Sequence, residues 1–352
     1  MPLRIKGARR LWVYVILIAV LFLAAGISLG TGAMKLSWGE VLSVLFEKLL
    51  GRENPELNVA SSVIWQIRLP RIILAVLIGA GLAVSGAVLQ GLFRNPLADP
   101  GLIGVSSGSA MGAVVAIVLF PAFGISSYFF DLALLPLMAM AGGVGVTFLV
   151  YQLSRVGGRI HVASMLLTGI AINAIAGALI GLCVTLVAND DQLRTVTFWT
   201  LGSLAGATWT SVGILLVILA PCLVVALRLG QALNAFLLGE LEAYHLGVNV
   251  NRVKQLAIVV SALMVGVTVA FSGIIGFIGL VAPHIVRLSL GPDHRLLLPV
   301  SALSGGLLLL IADTFARTVA APAELQIGIL TALLGGPFFL LLLLGGRRQM
   351  TV

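Results

Sequence analysis

The sequence contains few charged residues. Only 10% of its 352 residues are charged and 60% are hydrophobic, whereas a soluble domain carries about 25% charged residues. The mean hydropathy is +1.14. This composition excludes an ordinary soluble domain and indicates a protein that crosses a membrane many times. The net charge of +8 is therefore attributed to Lys and Arg on cytoplasmic loops rather than to nucleic-acid binding.

Cysteine and histidine are also scarce. The two cysteines, Cys183 and Cys222, lie inside apolar segments, which argues against a disulfide framework and favours buried free thiols. The four histidines all fall at predicted helix ends on one side of the membrane. We expect no metal site in this chain.

The chain lacks the motif GxxxxGK[ST], which is the Walker A loop that holds ATP. If ATP drives this protein, the ATPase is another chain. Acidic residues lie in predicted loops or near helix ends, and Asp313 is the nearest to a membrane interior. An ion-coupled carrier usually needs ionisable or coordinating groups at depth. Unwound backbone carbonyls can also bind sodium, so an ion-coupled carrier stays open as an alternative.

Long apolar runs fill the sequence. Runs of roughly 17–25 apolar residues can cross a bilayer as helices. The first run, Leu11–Leu29, has 19 residues, longer than the roughly 7–15 of a signal-peptide core, so it is interpreted as an uncleaved helix. Ten helices are predicted in all: 11–30, 70–92, 103–121, 132–152, 162–187, 210–229, 255–271, 273–289, 296–312 and 326–345.

The seventh and eighth predicted helices share one uncharged stretch, Leu256–Pro283, which is long for one helix and short for two. Ser272–Gly273 offers a break. With ten helices and both termini cytoplasmic, 14 Lys and Arg residues lie inside and 7 outside; with nine helices the division is 11 to 10. The positive-inside rule therefore favours ten helices.

Glycine is abundant, with 41 residues, and small residues let membrane helices approach closely. Four pairs have GxxxG spacing: Gly26 with Gly30, Gly108 with Gly112, Gly177 with Gly181, and Gly202 with Gly206.

The stretch 228–255 is the longest polar interruption in the second half of the chain. Its charged residues alternate with leucine and alanine, which is typical of short amphipathic helices. In the ten-helix arrangement this stretch is cytoplasmic. It is interpreted either as a solvated loop or as a place where a soluble partner pushes on the membrane helices.

Three stretches together resemble one family. They are Arg68–Gly108 (RLPR and FRNPLADPG), the polar stretch with Ser272–Arg287 (GFIGLVAPHIVR), and Ala312–Gly336 (ADTFAR). The chain is similar, from about residue 12 to 346, to the permease subunit of type II ABC importers, which take up haem, ferric siderophores and cobalamin. The resemblance implies an all-α fold of ten transmembrane helices forming one domain over 1–352.

The resemblance also implies partners and a mechanism. Two permease subunits, expected here as a homodimer, line a path through the inner membrane and contact its lipid. Two ATPase subunits bind ATP-Mg, and a periplasmic binding protein delivers the cargo. This chain is then not an enzyme, has no catalytic residue and binds no cofactor. Transport proceeds by alternating access.

Site residues follow from the same resemblance. Residues 230–254 correspond to the coupling helices that enter a cleft of the ATPase, where Glu242-Ala243 and Gly247 resemble an EAA…G signature. The implied coupling residues are Glu240, Glu242, His245 and Gly247. Arg68, Arg71 and Arg317 match arginines that meet carboxylates of the binding protein, which suits the rigid fork of the guanidinium. Arg68 and Arg71 can equally be interfacial anchors of a helix.

The resemblance also assigns four residues to the translocation path. Asn95, Leu97 and Ser164 match positions that narrow the cytoplasmic end of the path, and their alternative role is capping and turn formation. The external segment Asp190–Trp199 resembles the haem-importing branch. There Arg194 is expected to meet a haem propionate, or else only to contact the binding protein or cap a short helix. The expected cargo is haem, with ferric siderophores or cobalamin as alternatives.

Overall fold

The computed structural model describes residues 7–32, 34, 36–51, 57–124, 128–157, 159–321 and 323–347. The predicted cytoplasmic location of the termini concerns residues 1–6 and 348–352, which lie outside the described residues, as do Lys35 and Arg52.

The described chain is almost wholly helical, because in lipid a helix satisfies its own backbone donors and acceptors. The first half contains α1 (Gly7–Gly30), α2 (Trp38–Leu49), α3 (Asn58–Ser62), a π-helical stretch Val63–Arg68, α4 (Leu69–Phe93), a 3-10 turn Pro100–Ile103, α5 (Val105–Val114), a second π-helical stretch Val115–Leu119, α6 (Phe120–Ala122), α7 (Tyr128–Leu153) and α8 (Val162–Val187). The second half contains α9 (Asp190–Thr200), α10 (Trp209–Arg228), α11 (Gly230–Phe236), α12 (Glu240–His245), α13 (Val250–Ser272), α14 (Ile278–Leu290), α15 (His294–Thr318) and α16 (Ile327–Arg347).

The predicted transmembrane helices correspond to this order. Eight helical segments of the described chain are long and apolar enough to cross a membrane. Two shorter apolar helices, Ile278–Leu290 and Ile327–Leu341, lie where the eighth and tenth helices were predicted. The predicted break is confirmed: α13 ends at Ser272, and Gly273 follows with φ 66°. Four residues of non-helical chain then lead to α14.

A short β-hairpin was not predicted. β1 (Arg155–Val156) pairs antiparallel with β2 (Arg159–Ile160), so that Arg155 lies opposite Ile160. The hairpin joins α7 to α8 on the side of the membrane that carries α11 and α12.

The core surrounds α4, α13 and α15. Their most apolar windows are 83%, 72% and 61% buried, against 6% for α8 and 11% for α1. Glycine makes the closest contacts possible: a Cβ on Gly79 would overlap the backbone of Gly305 on α15, and a Cβ on Gly86 would overlap the Gly279 carbonyl on α14. The central helices therefore pack backbone against backbone.

The four GxxxG pairs have different outcomes. A Cβ on Gly108 or Gly112 would overlap the backbone of α7, so this pair does form a helix–helix contact. Gly177 and Gly181 on α8 have nothing within 4 Å of an added Cβ. A Cβ on Gly26 or Gly30 would make only ordinary van der Waals contacts. Gly202 lies in a turn with φ 72°. The packing prediction is therefore confirmed for one pair within this chain.

Contacts between distant residues support the even number of crossings. Arg10 at the start of α1 lies 3.7 Å from Asp293 at the start of α15. At the opposite end, Arg317 of α15 donates to Ser28 near the end of α1. These contacts place residues 10 and 293 on one side of the membrane and residues 28 and 317 on the other.

Candidate functional site

A buried cluster of charges lies at the end of the molecule where α4 begins. The Asp313 carboxylate is fully buried and lies 2.8 Å from Arg71 Nη2 and 3.3 Å from Arg317 Nε. Arg71 Nη1 also lies 3.0 Å from the Glu324 carboxylate, which is 42% exposed. One arginine therefore joins a buried carboxylate to an exposed one.

Arg68 and Arg317 complete this cluster by holding the end of α1. Arg68 donates to the carbonyls of Leu29 and Met34, and Arg317 Nη2 donates to the Ser28 hydroxyl at 2.6 Å. The three arginines predicted to meet a binding protein are thus brought together, at 3%, 6% and 7% exposure for Arg68, Arg71 and Arg317. In the isolated chain each is occupied by internal partners, so docking on them stays a prediction.

The short helix α9 lies at the same end and packs Val196 against Val114 and Val118. Asn189 and Gln192 form a capping box that begins the helix, and the Gln192 amide donates to the Ile117 carbonyl at 3.0 Å. Arg194 is exposed, Phe198 is 54% exposed and Trp199 is half-buried. The helix therefore presents one cation and one aromatic ring to whatever occupies the space outside.

The NPLADP segment forms a tight turn at the other end of α4. Arg94 ends α4 in the left-handed conformation with φ 51°, and the Asn95 carboxamide accepts the Leu97 N–H at 2.9 Å. Asp99 accepts the Gly101 N–H at 2.7 Å. Burial raises the pKa of Asp99, although this hydrogen bond acts in the opposite direction. Turn formation accounts for the Asn95 side chain here, and its role at the path stays a prediction.

Ser164 lies half-buried in the first turn of α8, directly after the β-hairpin. Asn173, in the middle of the same helix, accepts from the Ser107 hydroxyl at 2.6 Å and donates to the Gly101 carbonyl at 3.0 Å. Asn173 was not predicted as a site residue, although a carboxamide in the centre of an apolar helix is a recognisable signal.

The predicted coupling segment folds into α11 and α12, as the amphipathic pattern indicated. Ala243 is fully buried, whereas five large apolar residues of the segment are exposed by 44% to 73%. They are Leu237, Leu238, Leu241, Tyr244 and Leu246. Exposed apolar surface of this kind marks a site of interaction.

The four predicted coupling residues have different surroundings. The Glu242 carboxylate lies against Gly239, whose φ is 135°. His245 is exposed and contacts the Tyr244 ring edge-on at 5.9 Å, and Gly247 forms a turn with φ 83°. Glu240 is bound to Lys254, whose Nζ lies 2.7 Å from the carboxylate. Lys254 is only 4% exposed.

A second polar contact ties α11 to α15. Asn234 Nδ2 donates to Asp293 at 2.7 Å, and Asn234 Oδ1 accepts the His294 N–H at 2.8 Å. Burial raises the pKa of Asp293, but the hydrogen bonds from Asn234 and the Arg295 amide, with the nearby Arg10 charge, hold that pKa below its ordinary value. Asp293 is therefore ionised at neutral pH.

A broad cavity of about 1000 Å³ separates α12 from the start of α8. Its lining includes His161, Glu240, Tyr244, Asn249 and Lys254. Among the described residues, no group of three or more His, Cys, Asp or Glu side chains is arranged to hold a metal ion.

The comparisons with known proteins assign this arrangement to a family. The FecCD transport family matches residues 17–345. The chain belongs to this family. It is 44% identical to a haemin transport system permease of Yersinia pestis over 97% of both chains. It is also 44% identical to a cobalamin import permease of Halobacterium salinarum, over 81% of this chain and 74% of the relative.

A solved structure agrees with the fold. That structure shows an inward-facing conformation of a protein proposed to be a metal-chelate type ABC transporter. It matches this chain with a TM-score of 0.80 and 37% identity, covering 94% of this chain and 97% of the other. The predicted type II importer permease fold, that of a multi-pass membrane protein, is thereby confirmed.

Proposed function

We propose that this chain is the permease subunit of an ATP-driven importer that carries haem across the bacterial inner membrane. The observation that carries the proposal is the 44% identity to a haemin permease over 97% of both chains. A cobalamin importer is the second candidate, because a cobalamin permease is equally identical over a shorter length. Family membership supports the wider class, an ABC importer permease for iron chelates or cobalamin.

The exposed face of α9 supports haem as the cargo. Arg194 offers a guanidinium fork that suits a propionate, and Phe198 offers an apolar ring for the porphyrin edge. Both side chains are exposed at the end of the molecule that carries the arginine cluster.

The apolar surface of α11 and α12 supports docking of a separate ATPase subunit. It lies on the side of the membrane where Lys and Arg are enriched, which the positive-inside rule assigns to the cytoplasm. ATP-Mg is bound and hydrolysed by that partner. Its closure moves the coupling segment, and the membrane helices change between outward and inward openings.

The exposed face of α8 supports a second copy of the permease as the neighbour across the path. Gly177 and Gly181 leave open space on this helix, and small residues favour close helix contacts in lipid. The Ser164 end of α8 would then lie at the cytoplasmic end of a path shared by two subunits.

The buried arginines suggest how a periplasmic binding protein docks. The Glu324 carboxylate occupies one face of Arg71 and is partly exposed, so a carboxylate of the incoming protein can replace it. Charge pairs at such a rim steer association and set orientation more than they add affinity.

The test is uptake of haem into liposomes that contain the permease, its co-purified ATPase and the cognate binding protein. We expect accumulation that requires ATP and falls several-fold in Arg194→Ala. Lys48→Ala, which removes an exposed cation from α2 on the same side, is the control and leaves uptake unchanged.

Accumulation of cobalamin or a ferric siderophore instead of haem would agree with an importer permease but refute haem as its cargo. Uptake driven by a sodium or proton gradient without ATP would refute the mechanism as well.

A further inference from the structure

The Lys254 ammonium group is the meeting point of three elements. It projects from the first turns of α13 and contacts Glu240, the first residue of α12, with Nζ 2.7 Å from each carboxylate oxygen. It also donates to the Ile160 carbonyl on β2 at 3.0 Å. One side chain therefore links α12, α13 and the hairpin that leads into α8.

These contacts offer an acceptor to every N–H donor of the ammonium group. Lysine has three N–H donors and no acceptor, and three oxygens surround Nζ: two from Glu240 and one from Ile160. A buried ammonium is tolerated only when it is paired and hydrogen-bonded. Because Lys254 is 4% exposed, loss of any one partner leaves a buried donor without its protein acceptor.

The Lys254 contacts lie at the edge of a cavity between α12 and the hairpin. A cavity of about 1000 Å³ separates α12 from the start of α8, and Glu240, Lys254 and Ile160 all line it. Ile160 is followed by His161 and then by the first turn of α8, which contains Ser164. The contacts of Lys254 Nζ therefore bridge α12 and the hairpin at the edge of this cavity.

We propose that Lys254 is a positioning residue that transmits the displacement of α12 to the β1–β2 hairpin and the start of α8. This role deepens the proposed function, on which it rests, since it assumes that α11 and α12 are moved by an ATPase. Glu240 then acts by holding Lys254 inside this chain rather than by contacting the partner.

The critical variant is Lys254→Met, which removes the charge and all three donors and keeps a long apolar stem. The control is Arg228→Met, which removes an exposed cation from the last turn of α10, outside residues 230–254. We call the contacts of Lys254 with Glu240 and Ile160 the Lys254 junction. Glu240→Gln removes the carboxylate charge from this junction and leaves the hydrogen bond from Lys254 to the Ile160 carbonyl. It changes an exposed side chain, so it tests the same contact if Lys254→Met fails to fold.

The first measurement is amide hydrogen exchange of the assembled permease–ATPase complex, with and without ATP and vanadate. In the native complex and in Arg228→Met, nucleotide changes exchange in both 236–247 and 155–166. In Lys254→Met the change in 236–247 remains and the change in 155–166 is lost. In Glu240→Gln the change in 155–166 is reduced. This readout does not depend on which cargo is carried.

The second measurement is the number of haem molecules taken up for each ATP hydrolysed. Coupling between sites is typically worth 5- to 150-fold, so we expect this ratio to fall about tenfold in Lys254→Met while hydrolysis continues. A smaller fall is expected in Glu240→Gln.

The proposal is overturned if nucleotide changes hydrogen exchange in 155–166 of Lys254→Met or Glu240→Gln as much as it does in the native complex. A fall in ATP hydrolysis that matches the fall in uptake would also overturn it, because the ratio would then be constant. If 236–247 of the native complex does not respond to nucleotide, the proposed role of the coupling segment fails first, and the junction fails with it.

Discussion

Arg71 contacts two carboxylates whose surroundings differ. Asp313 is fully buried between Arg71 and Arg317, whereas the side chain of Glu324 is 42% exposed. Removing one partner of a buried ion pair destabilises the protein by several kcal/mol, because the remaining charge stays in a medium of low dielectric constant. An exposed pair is worth about 0–1 kcal/mol, because water replaces the lost partner.

The two carboxylates are therefore expected to respond differently to neutralisation. Asp313→Asn leaves the buried Arg317 guanidinium without its carboxylate partner and leaves Arg71 with only the part-exposed Glu324. It should lower the free energy of unfolding by about 3–5 kcal/mol. Glu324→Gln should change it by less than about 1 kcal/mol. The measurement is the thermal unfolding midpoint of each purified variant in detergent. Equal midpoints for the two variants would contradict this account of the cluster.

Individual site residues were predictable only in part. The sequence motifs placed Arg68, Arg71 and Arg317 in one functional group, and the structure brings them together. Motifs did not indicate that Asp313 lies between two of them, because residues 71 and 313 are joined only by the packing of α4 against α15. Lys254 was visible as a cation in an amphipathic stretch, but its burial depends on a hairpin 94 residues earlier.

At the scale of elements, glycine determines how closely the central helices approach. A Cβ at Gly86 on α4 would overlap the Gly279 carbonyl of α14, whereas a Cβ at Gly213 on α10 meets nothing within 4 Å. Both glycines lie inside helices, so their helix propensity is comparable and only the surroundings differ.

Alanine at these two positions should have effects of opposite sign. Gly86→Ala forces α4 and α14 apart and should destabilise the protein by about 1–3 kcal/mol. Gly213→Ala should be neutral or stabilise it by up to about 1 kcal/mol, because alanine favours the helix. Thermal unfolding of both variants in one detergent tests this. A Gly86→Ala variant as stable as the native protein would show that the backbone contact is not tight.

The lengths of apolar runs predicted the transmembrane helices well, since the bilayer sets that length. The non-helical link between α13 and α14 was predicted from Ser272–Gly273, because glycine readily adopts positive φ. Phe277, which also has a positive φ of 67°, carried no such signal. Its conformation depends on tertiary contact, since a Cβ on Gly335 of α16 would overlap its ring.

At the scale of the whole molecule, α8 is a membrane helix with little cover from its own chain, at 6% burial. A homodimer through this face is part of the proposed function. A bulky side chain at Gly177 is compatible with the isolated chain, because nothing lies within 4 Å of an added Cβ.

Gly177→Ile is therefore expected to leave the fold intact and to reduce dimerisation at least about tenfold, equivalent to about 1.4 kcal/mol. Gly213→Ile, which also meets open space within its chain, is the matched control and should leave the dimer unchanged. Native mass spectrometry of the permease in detergent gives the oligomeric state. Equal dimer populations in the two variants would place the subunit contact on another face.

The sequence by itself determined the class of protein, the apolar membrane helices and the location of the polar segment 230–254. These properties depend on local composition, because the bilayer responds to the length of apolar runs and to the charge of the loops between them. Family motifs added the arginine cluster.

The tertiary structure alone decided which polar side chains meet. The Asp313 cluster, the Asn173 contact and the Lys254 junction each join residues that are distant in sequence. A buried polar group must find its partner wherever packing brings one. Such pairs have no fixed spacing along the chain, and no sequence pattern reveals them.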